Sequence, residues 1–190
     1  GRELWGYNTD AEGFLQALLE HGIQPEEKNI VILGAGGASR AISYVLAEKG
    51  AGLTILNRRE ELSWAENIAK KIKQDLKKNV NVLELSGLAA GLKNADLLIN
   101  ATSVGMSPHA DASLVPVKLL SKIPAVVDIV YNPLETRLIK EAKAAGAMTV
   151  SGVDMLAWQG ALAFEKWTGQ AAPLELMRRQ AVKMLEKNED

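Results

Sequence analysis

Short aliphatic segments alternate with amphipathic segments along most of this chain, and no other feature restricts its fold as strongly. Strands are predicted at Asn29–Leu33, 53–56, 80–85, 96–100, 125–130 and Met148–Val150. Helices are predicted between them: one closing at Gly50, one at 61–76, a short one near 86–92 and one at 135–145. This alternation is typical of βαβ units, so it predicts the α/β class with a doubly wound, mostly parallel sheet.

Helices are also predicted outside the strand-rich region, at both ends of the chain. Thr9 and Glu12 have the spacing of a capping box, an apolar face follows, and Gly22 ends the first helix. Asp10 falls in the first turn, where the helix dipole favours a carboxylate. Two helices close the chain, one at 155–167 and one starting at Pro173. We expect the first and last helices to face something outside the sheet.

Composition and charge exclude several classes of protein. Lys and Arg total 22 against 23 Asp and Glu, a net charge of −1, so neither nucleic acid nor a membrane is a predicted partner. There are no cysteines, which excludes disulfides and thiolate sites and favours a cytoplasmic location. No apolar run reaches the roughly 18–20 residues of a membrane span. No metal site is predicted. Because the chain starts at Gly1 rather than Met, we expect it to be part of a longer chain.

A glycine-rich loop, GAGGASR at residues 34–40, joins the first strand to its helix. Gly34 permits a tight turn, and Gly36 lets the backbone approach a pyrophosphate at the helix N-terminus. Ser39 occupies the third position of this fingerprint, where Gly is usual. A glycine-rich turn without a ligand is the alternative, but the strand–turn–helix context favours a Rossmann-like dinucleotide-binding fold.

The end of the second strand refines the predicted cofactor. An NAD site carries an acidic residue there, whereas this strand ends in Asn57, Arg58 and Arg59. Guanidinium groups suit a 2′-phosphate, which favours NADP over NAD. Alternatively, the arginines pair with Glu60 and Glu61 on the surface.

Polar loops follow the later strands, at the edge where parallel sheets bind ligands. They are NATSVGM at 100–106, YNP at 131–133 and SGVD at 151–154. Gln159 lies within a predicted helix, where spacing alone supports an ordinary polar face equally well.

These segments together resemble one enzyme family. GYNTD at 6–10, the loop at 34–40, NR at 57–58, NATSVGM, DIVYNP at 128–133 and the stretch 152–169 occur in the order found in shikimate dehydrogenases. The resemblance covers essentially all 190 residues. It implies reversible reduction of 3-dehydroshikimate to shikimate with NADP(H), in aromatic amino-acid biosynthesis.

The resemblance also implies roles for individual residues. Asp10 would be catalytic, binding substrate hydroxyls and pairing with a catalytic Lys; Tyr131 and Gln159 would contact substrate. The implied cofactor contacts are Gly34, Ala35, Gly36, Gly37 and Ala38 for the pyrophosphate, Asn57 and Arg58 for the 2′-phosphate, and Ile129 and Gly152 near the nicotinamide.

The sequence departs from the family pattern in two places. The segment between Arg58 and Ala65 is about two residues longer than expected, so later basic contacts to the 2′-phosphate cannot be carried over. The family's substrate domain, with its catalytic Lys, precedes GYNTD, and no lysine here matches that role. We therefore predict a linker helix at 1–22, an NADP-binding domain at 23–155, and C-terminal helices at 156–190, the last packing on the substrate domain.

Two expectations follow for the chain by itself. It should bind NADP(H) without turning over substrate. The apolar faces of its first and last helices should be partly uncovered, giving self-association or high mobility of residues 174–190. Two alternatives to the shikimate enzyme stay open: a relative acting on quinate or another cyclic polyol, and a non-catalytic dinucleotide-binding module.

Overall fold

A computed structural model describes residue 3 and residues 5–187. Six parallel strands form one sheet in the order β3-β2-β1-β4-β5-β6. The strands are β1 Asn29–Leu33, β2 Gly52–Asn57, β3 Val80–Glu84, β4 Leu97–Asn100, β5 Ala125–Asp128 and β6 Met148–Val150. The helices are α1 Asp10–Glu20, α2 Gly37–Glu48, α3 Leu62–Leu76, α4 Leu88–Gly91, α5 Val117–Leu120, α6 Arg137–Ala144, α7 Gly152–Thr168 and α8 Leu174–Glu186.

Alternate residues of each buried strand point to opposite faces of the sheet, and each face has its own hydrophobic core. Ile30 and Ile32 belong to the core under α1, α2, α3 and α7, whereas Val31 and Leu33 belong to the core under α4, α5 and α6. Burial of each large aliphatic side chain contributes about 1.5–3 kcal/mol. Helices on both faces of a parallel sheet confirm the predicted doubly wound α/β fold.

Several predicted boundaries were wrong, although every predicted strand is present. The capping box is absent, because the Thr9 side chain makes no capping bond; instead Asn8 Oδ1 accepts a hydrogen bond from Asp10 N (2.8 Å). Strand β5 ends at Asp128 rather than at residue 130. Helix α7 begins at Gly152 rather than 155, because Ser151 Oγ caps it by accepting from Val153 N. The short helix α5 was not predicted.

The first helix is not left uncovered, so that expectation was wrong. Phe14, Leu15 and Leu18 of α1 are buried, because α1 packs against α2 and α7. The last helix differs, since α8 has no buried residue and packs mainly against α7. The prediction about Gly1 concerns a residue outside those described. The same holds for the prediction about the segment 174–190 where it falls on residues 188–190.

Arg178 is the main polar anchor of α8. Its Nη2 lies 2.5 Å from Glu20 Oε2 on α1, and its Nε lies 3.2 Å from Asp154 Oδ1 on α7 without pointing its N–H at that oxygen. Trp158 Nε1 also donates to Glu20 Oε2, at 2.8 Å. Partial burial alone would raise the pKa of Glu20, but the hydrogen bonds from Trp158 and Arg178 outweigh it and lower that pKa.

No helix within residues 5–187 is both long and apolar enough to cross a membrane.

Candidate functional site

The loop after β1 makes a turn that only glycine fits at its first position. Gly34 has φ +95°, and a Cβ there would lie 2.7 Å from Thr102 Cγ2 and 2.9 Å from the carbonyl oxygen of Ala101. The turn therefore runs directly against the loop that follows β4. These two strands flank the point where the strand order reverses, which is where open α/β sheets bind their ligands.

The presence of glycine at the next two glycine positions, Gly36 and Gly37, has a different explanation, because the backbone conformation there does not require glycine. Gly36 has φ −77°, and a Cβ on Gly36 or Gly37 would meet nothing within 4 Å. The space in front of α2 is therefore open. No side chain caps the helix at Gly36, so amides of its first turn are available to a ligand. Open space, free amides and the positive end of a helix dipole suit an anionic group such as a pyrophosphate.

Ser39, at the third fingerprint position, holds the loop in this shape. It is fully buried, and its Oγ donates a 2.7 Å hydrogen bond to the carbonyl oxygen of Gly34. A small side chain is needed for the close packing of α2 on the sheet, and the hydroxyl adds a bond that glycine could not make.

A cavity of about 390 Å³ lies beside this loop. Its walls include the predicted cofactor residues Gly34, Ala35, Gly36, Asn57 and Arg58. Gly37 and Ala38 are not among its lining residues; they lie in the first turn of α2. Glu61, which was expected only as a surface partner of the arginines, lines the cavity too, as does Trp64, which the sequence did not single out. Both fall between Arg58 and Ala65, in the segment that we expected to be longer than the family pattern.

The alternative that the arginines pair with Glu60 and Glu61 on the surface agrees with the structure for Arg58. Its Nη2 lies 2.6 Å from Glu61 Oε1, while Arg59 Nε lies 3.8 Å from Glu84 Oε1. The hydrogen bond between Arg58 and Glu61 raises the pKa of the guanidinium and lowers the pKa of the carboxyl. Arg58 thus lines the cavity while bound to a carboxylate.

A buried polar network fixes the loops that follow β4 and β5. Asp128 is fully buried and accepts hydrogen bonds from Asn100 Nδ2 (2.9 Å), Val130 N (3.0 Å) and Thr136 Oγ1 (2.7 Å). Burial raises the pKa of Asp128, and these hydrogen bonds offset part of that effect. Asn100 Oδ1 in turn accepts from Thr102 Oγ1 at 2.7 Å. The network is structural, because its carboxylate is closed to solvent.

A second, smaller cavity of about 230 Å³ gathers the remaining predicted residues. Asp10, Tyr131 and Gln159, expected at the substrate, line it together with Ile129 and Gly152, expected near the nicotinamide. Met155 and Leu156 of α7 complete its described walls and were not anticipated. Among the residues that the structure describes, none lines both cavities.

Two glycines allow this convergence by permitting close backbone approach. A Cβ on Gly13 would lie 2.7 Å from Gln159 N, so α1 and α7 cross almost in contact one turn after Asp10. A Cβ on Gly152 would lie 2.4 Å from the carbonyl oxygen of Ile129. Gly152 is therefore required for packing α7 against the end of β5, whatever its role toward a cofactor.

Within the described part of the chain, no group of three or more His, Cys, Asp or Glu residues is arranged to hold a metal ion.

The strand order, the tight glycine turn and the uncapped helix start at the point of reversal define a Rossmann-type dinucleotide-binding protein. The family described as shikimate / quinate 5-dehydrogenase matches residues 17–131, and the shikimate 5′-dehydrogenase C-terminal domain matches residues 152–182. The chain belongs to the shikimate / quinate 5-dehydrogenase family.

Individual relatives agree with this assignment. The NADP(+) shikimate dehydrogenase of Methanosarcina mazei is 47% identical over 185 residues, which are 97% of this chain and 65% of that protein. The Thermus thermophilus shikimate 5-dehydrogenase structure with NADP(H) and shikimate is 39% identical, with a TM-score of 0.79, over 95% of this chain and 63% of that one. Quinate dehydrogenase from Corynebacterium glutamicum with NAD is 32% identical, with a TM-score of 0.84, over 92% and 61%. The chain thus spans about 65% of the length of the curated relative.

Proposed function

We propose that this chain is the cofactor-binding part of an NADP-dependent shikimate dehydrogenase, which reduces 3-dehydroshikimate to shikimate reversibly. The observation that carries the proposal is the open space at Gly36 and Gly37, where the backbone does not itself require glycine. That space accommodates a pyrophosphate against the first-turn amides of α2. Arg58, in the same cavity, supplies a guanidinium for a 2′-phosphate.

When bound, the reduced nicotinamide supplies the hydride for the substrate carbonyl. The chain's own residues have separate tasks in this scheme. Asp10, Tyr131 and Gln159, which share one cavity, bind and orient the hydroxyl groups of the substrate. Asp10 also holds a lysine ammonium that gives or takes the alcohol proton, because a neighbouring carboxylate stabilises the charged form of lysine.

That lysine is expected from the substrate domain of the family. Of the described residues that line the cavity with Asp10, none is a lysine. We therefore expect the 190-residue chain to bind NADP(H) but to produce no turnover by itself. A steady-state assay with shikimate and NADP tests this, and turnover at the rate of a complete family member would contradict it.

Quinate is the second candidate substrate, favoured by the similarity to a quinate dehydrogenase. The two substrates share ring hydroxyls that Asp10 and Gln159 could bind, so this cavity does not discriminate between them. Comparing kcat/KM for shikimate, quinate and other cyclic polyols with the chain joined to its substrate domain would decide. A non-catalytic NADP-binding module is the remaining alternative, and turnover of any of these substrates by that protein would exclude it.

We retain three further expectations as part of the proposal. The division at residues 22 and 155 is tested by limited proteolysis. Self-association through α8 is supported by its exposed Leu176 and Met184, and light scattering of the purified chain tests it. A cytoplasmic location is supported by the absence of cysteine, and cell fractionation tests it.

A further inference from the structure

The cavity proposed for the adenosine end of the cofactor contains a carboxylate as well as a guanidinium. Of the described residues that line it, Arg58 and Glu61 are the charged ones, so their charges cancel. Their side chains are 2.6 Å apart, and Glu61 is the more enclosed, at 25% exposure against 66% for Arg58. A cofactor that binds here therefore meets both the positive charge of Arg58 and the negative charge of Glu61.

Glu61 is held in place by its backbone. Asn57 Nδ2 donates to the carbonyl oxygen of Glu61 (2.8 Å), and Glu61 N donates to the carbonyl oxygen of Arg58 (3.0 Å). These bonds close the 3-10 turn Arg59–Glu61, which leads into α3 at Leu62. These two bonds keep the backbone of Glu61 beside the cavity.

A carboxylate at this position acts differently on the two dinucleotides. The 2′-phosphate of NADP brings additional negative charge, which Arg58 attracts and Glu61 repels. The 2′-hydroxyl of NAD is uncharged and can donate a hydrogen bond to a carboxylate, as it does to the acidic residue of many NAD sites. Arg59 does not line this cavity and faces Glu84 at 3.8 Å, so it does not offset the charge of Glu61.

We propose that Glu61 is a specificity-determining residue that reduces the preference of this protein for NADP(H) over NAD(H), so that both cofactors bind. The proposal rests on the function proposed above and adds a residue that sets the choice of cofactor.

The test compares dissociation constants for NADPH and NADH, measured by calorimetry at one ionic strength, for the 190-residue chain and its variants. Glu61→Gln should tighten NADPH binding roughly three- to tenfold and leave NADH binding unchanged or weaker. Glu61→Ala should change the ratio in the same direction. The control is Glu66→Gln, which removes an equal charge from an exposed position of α3 outside the cavity. Its ratio should stay within about twofold of the wild type.

Each outcome decides one of the two proposals. An unchanged NADPH-to-NADH ratio in both Glu61 variants, with unchanged melting temperatures, would overturn the specificity role while leaving NADP binding intact. A wild-type chain that binds NADPH but shows no NADH binding would also overturn it. A folded wild-type chain that binds neither cofactor would instead contradict the proposed function itself.

Discussion

Asn100 and Asp128 end two neighbouring strands, and Asn100 Nδ2 lies 2.9 Å from Asp128 Oδ1 in a place closed to solvent. Each residue also fixes the loop that follows its own strand: Asn100 bonds to Val104, and Asp128 bonds to Val130. The first loop lines the cavity beside the glycine turn, and the second leads to Tyr131 in the other cavity. This pair therefore holds loops that lead into both candidate binding regions.

Replacing Asp128 should destabilise the whole domain. Asp128→Ala leaves Asn100, Val130 and Thr136 without their common acceptor. Because unpaired buried polar groups are costly, the free energy of unfolding should fall by about 3 kcal/mol or more. Asp128→Asn keeps one acceptor oxygen and should lose only about 1 kcal/mol. Urea unfolding measures both. Equal stabilities for the wild type and Asp128→Ala would contradict the structural role.

The pH dependence of the same comparison has a defined sign. Burial, the largest effect, raises the pKa of Asp128 above its ordinary value of 3.8, and the hydrogen bonds from Thr136, Val130 and Asn100 only partly oppose it. The folded state therefore binds the proton more tightly than the unfolded state. The resulting stabilisation is fully present below pH 3.8 and is lost as pH rises through the folded pKa. The stability of the wild type relative to Asp128→Asn should fall across that window.

Two serines one helical turn apart on α2 should respond oppositely to the same substitution. Ser39→Ala removes the hydrogen bond to Gly34 and should cost about 1 kcal/mol, weakening NADPH binding because the loop loosens. Ser43 is equally buried, but its Oγ has no hydrogen-bond partner, so Ser43→Ala should be neutral or stabilising by up to about 1 kcal/mol. Thermal unfolding of the two variants checks this. A larger loss for Ser43→Ala than for Ser39→Ala would contradict it.

Much of this architecture could be predicted, because the aliphatic runs are local signals. Strands β1 and β6 lie at their predicted residues, since Asn29–Leu33 and Met148–Val150 are bounded by clear changes in pattern. Helix starts were less predictable. The cap of α1 comes from Asn8 rather than Thr9, a choice that depends on backbone angles and not on spacing.

Some residues take their place in the site through tertiary contacts, so the sequence alone did not predict that place. Glu61 and Trp64 reach the cavity through the 3-10 turn that precedes α3, and no sequence period specifies that turn. Gly152 was expected beside a cofactor, yet the structure explains it by the close approach to the carbonyl oxygen of Ile129. That contact joins two segments whose distance only the fold determines.

Trp64 should report cofactor binding by fluorescence. Its side chain is 52% exposed and lines the cavity near Arg58, so a bound dinucleotide should change its emission. Trp64→Phe should remove most of the NADPH-dependent change, whereas Trp167→Phe, at an 84% exposed position outside the cavity, should keep it. An undiminished signal in Trp64→Phe would place the dinucleotide elsewhere.

Arg178 should control the attachment of α8. Arg178→Met removes the hydrogen bond to Glu20 and the ion pair with Asp154. Because α8 has no buried residue, the amides of α8 should exchange roughly tenfold faster. Arg179→Met, at the exposed neighbouring position, is the matched control and should change little. Hydrogen exchange followed by mass spectrometry measures the rates for α8 and, as an internal reference, for α2. Unchanged protection of α8 in Arg178→Met would show that other contacts hold it.

Calorimetric titration of the 190-residue chain and of Gly36→Val with NADPH tests most directly whether the glycine loop is the dinucleotide site. A Cβ at Gly36 meets nothing within 4 Å, so the variant should fold with nearly the same melting temperature while filling the space assigned to the pyrophosphate. We expect the wild type to bind NADPH and Gly36→Val to bind it at least roughly tenfold more weakly. Equal binding by both proteins, or no binding by the folded wild type, would contradict the assignment of this loop as the dinucleotide site.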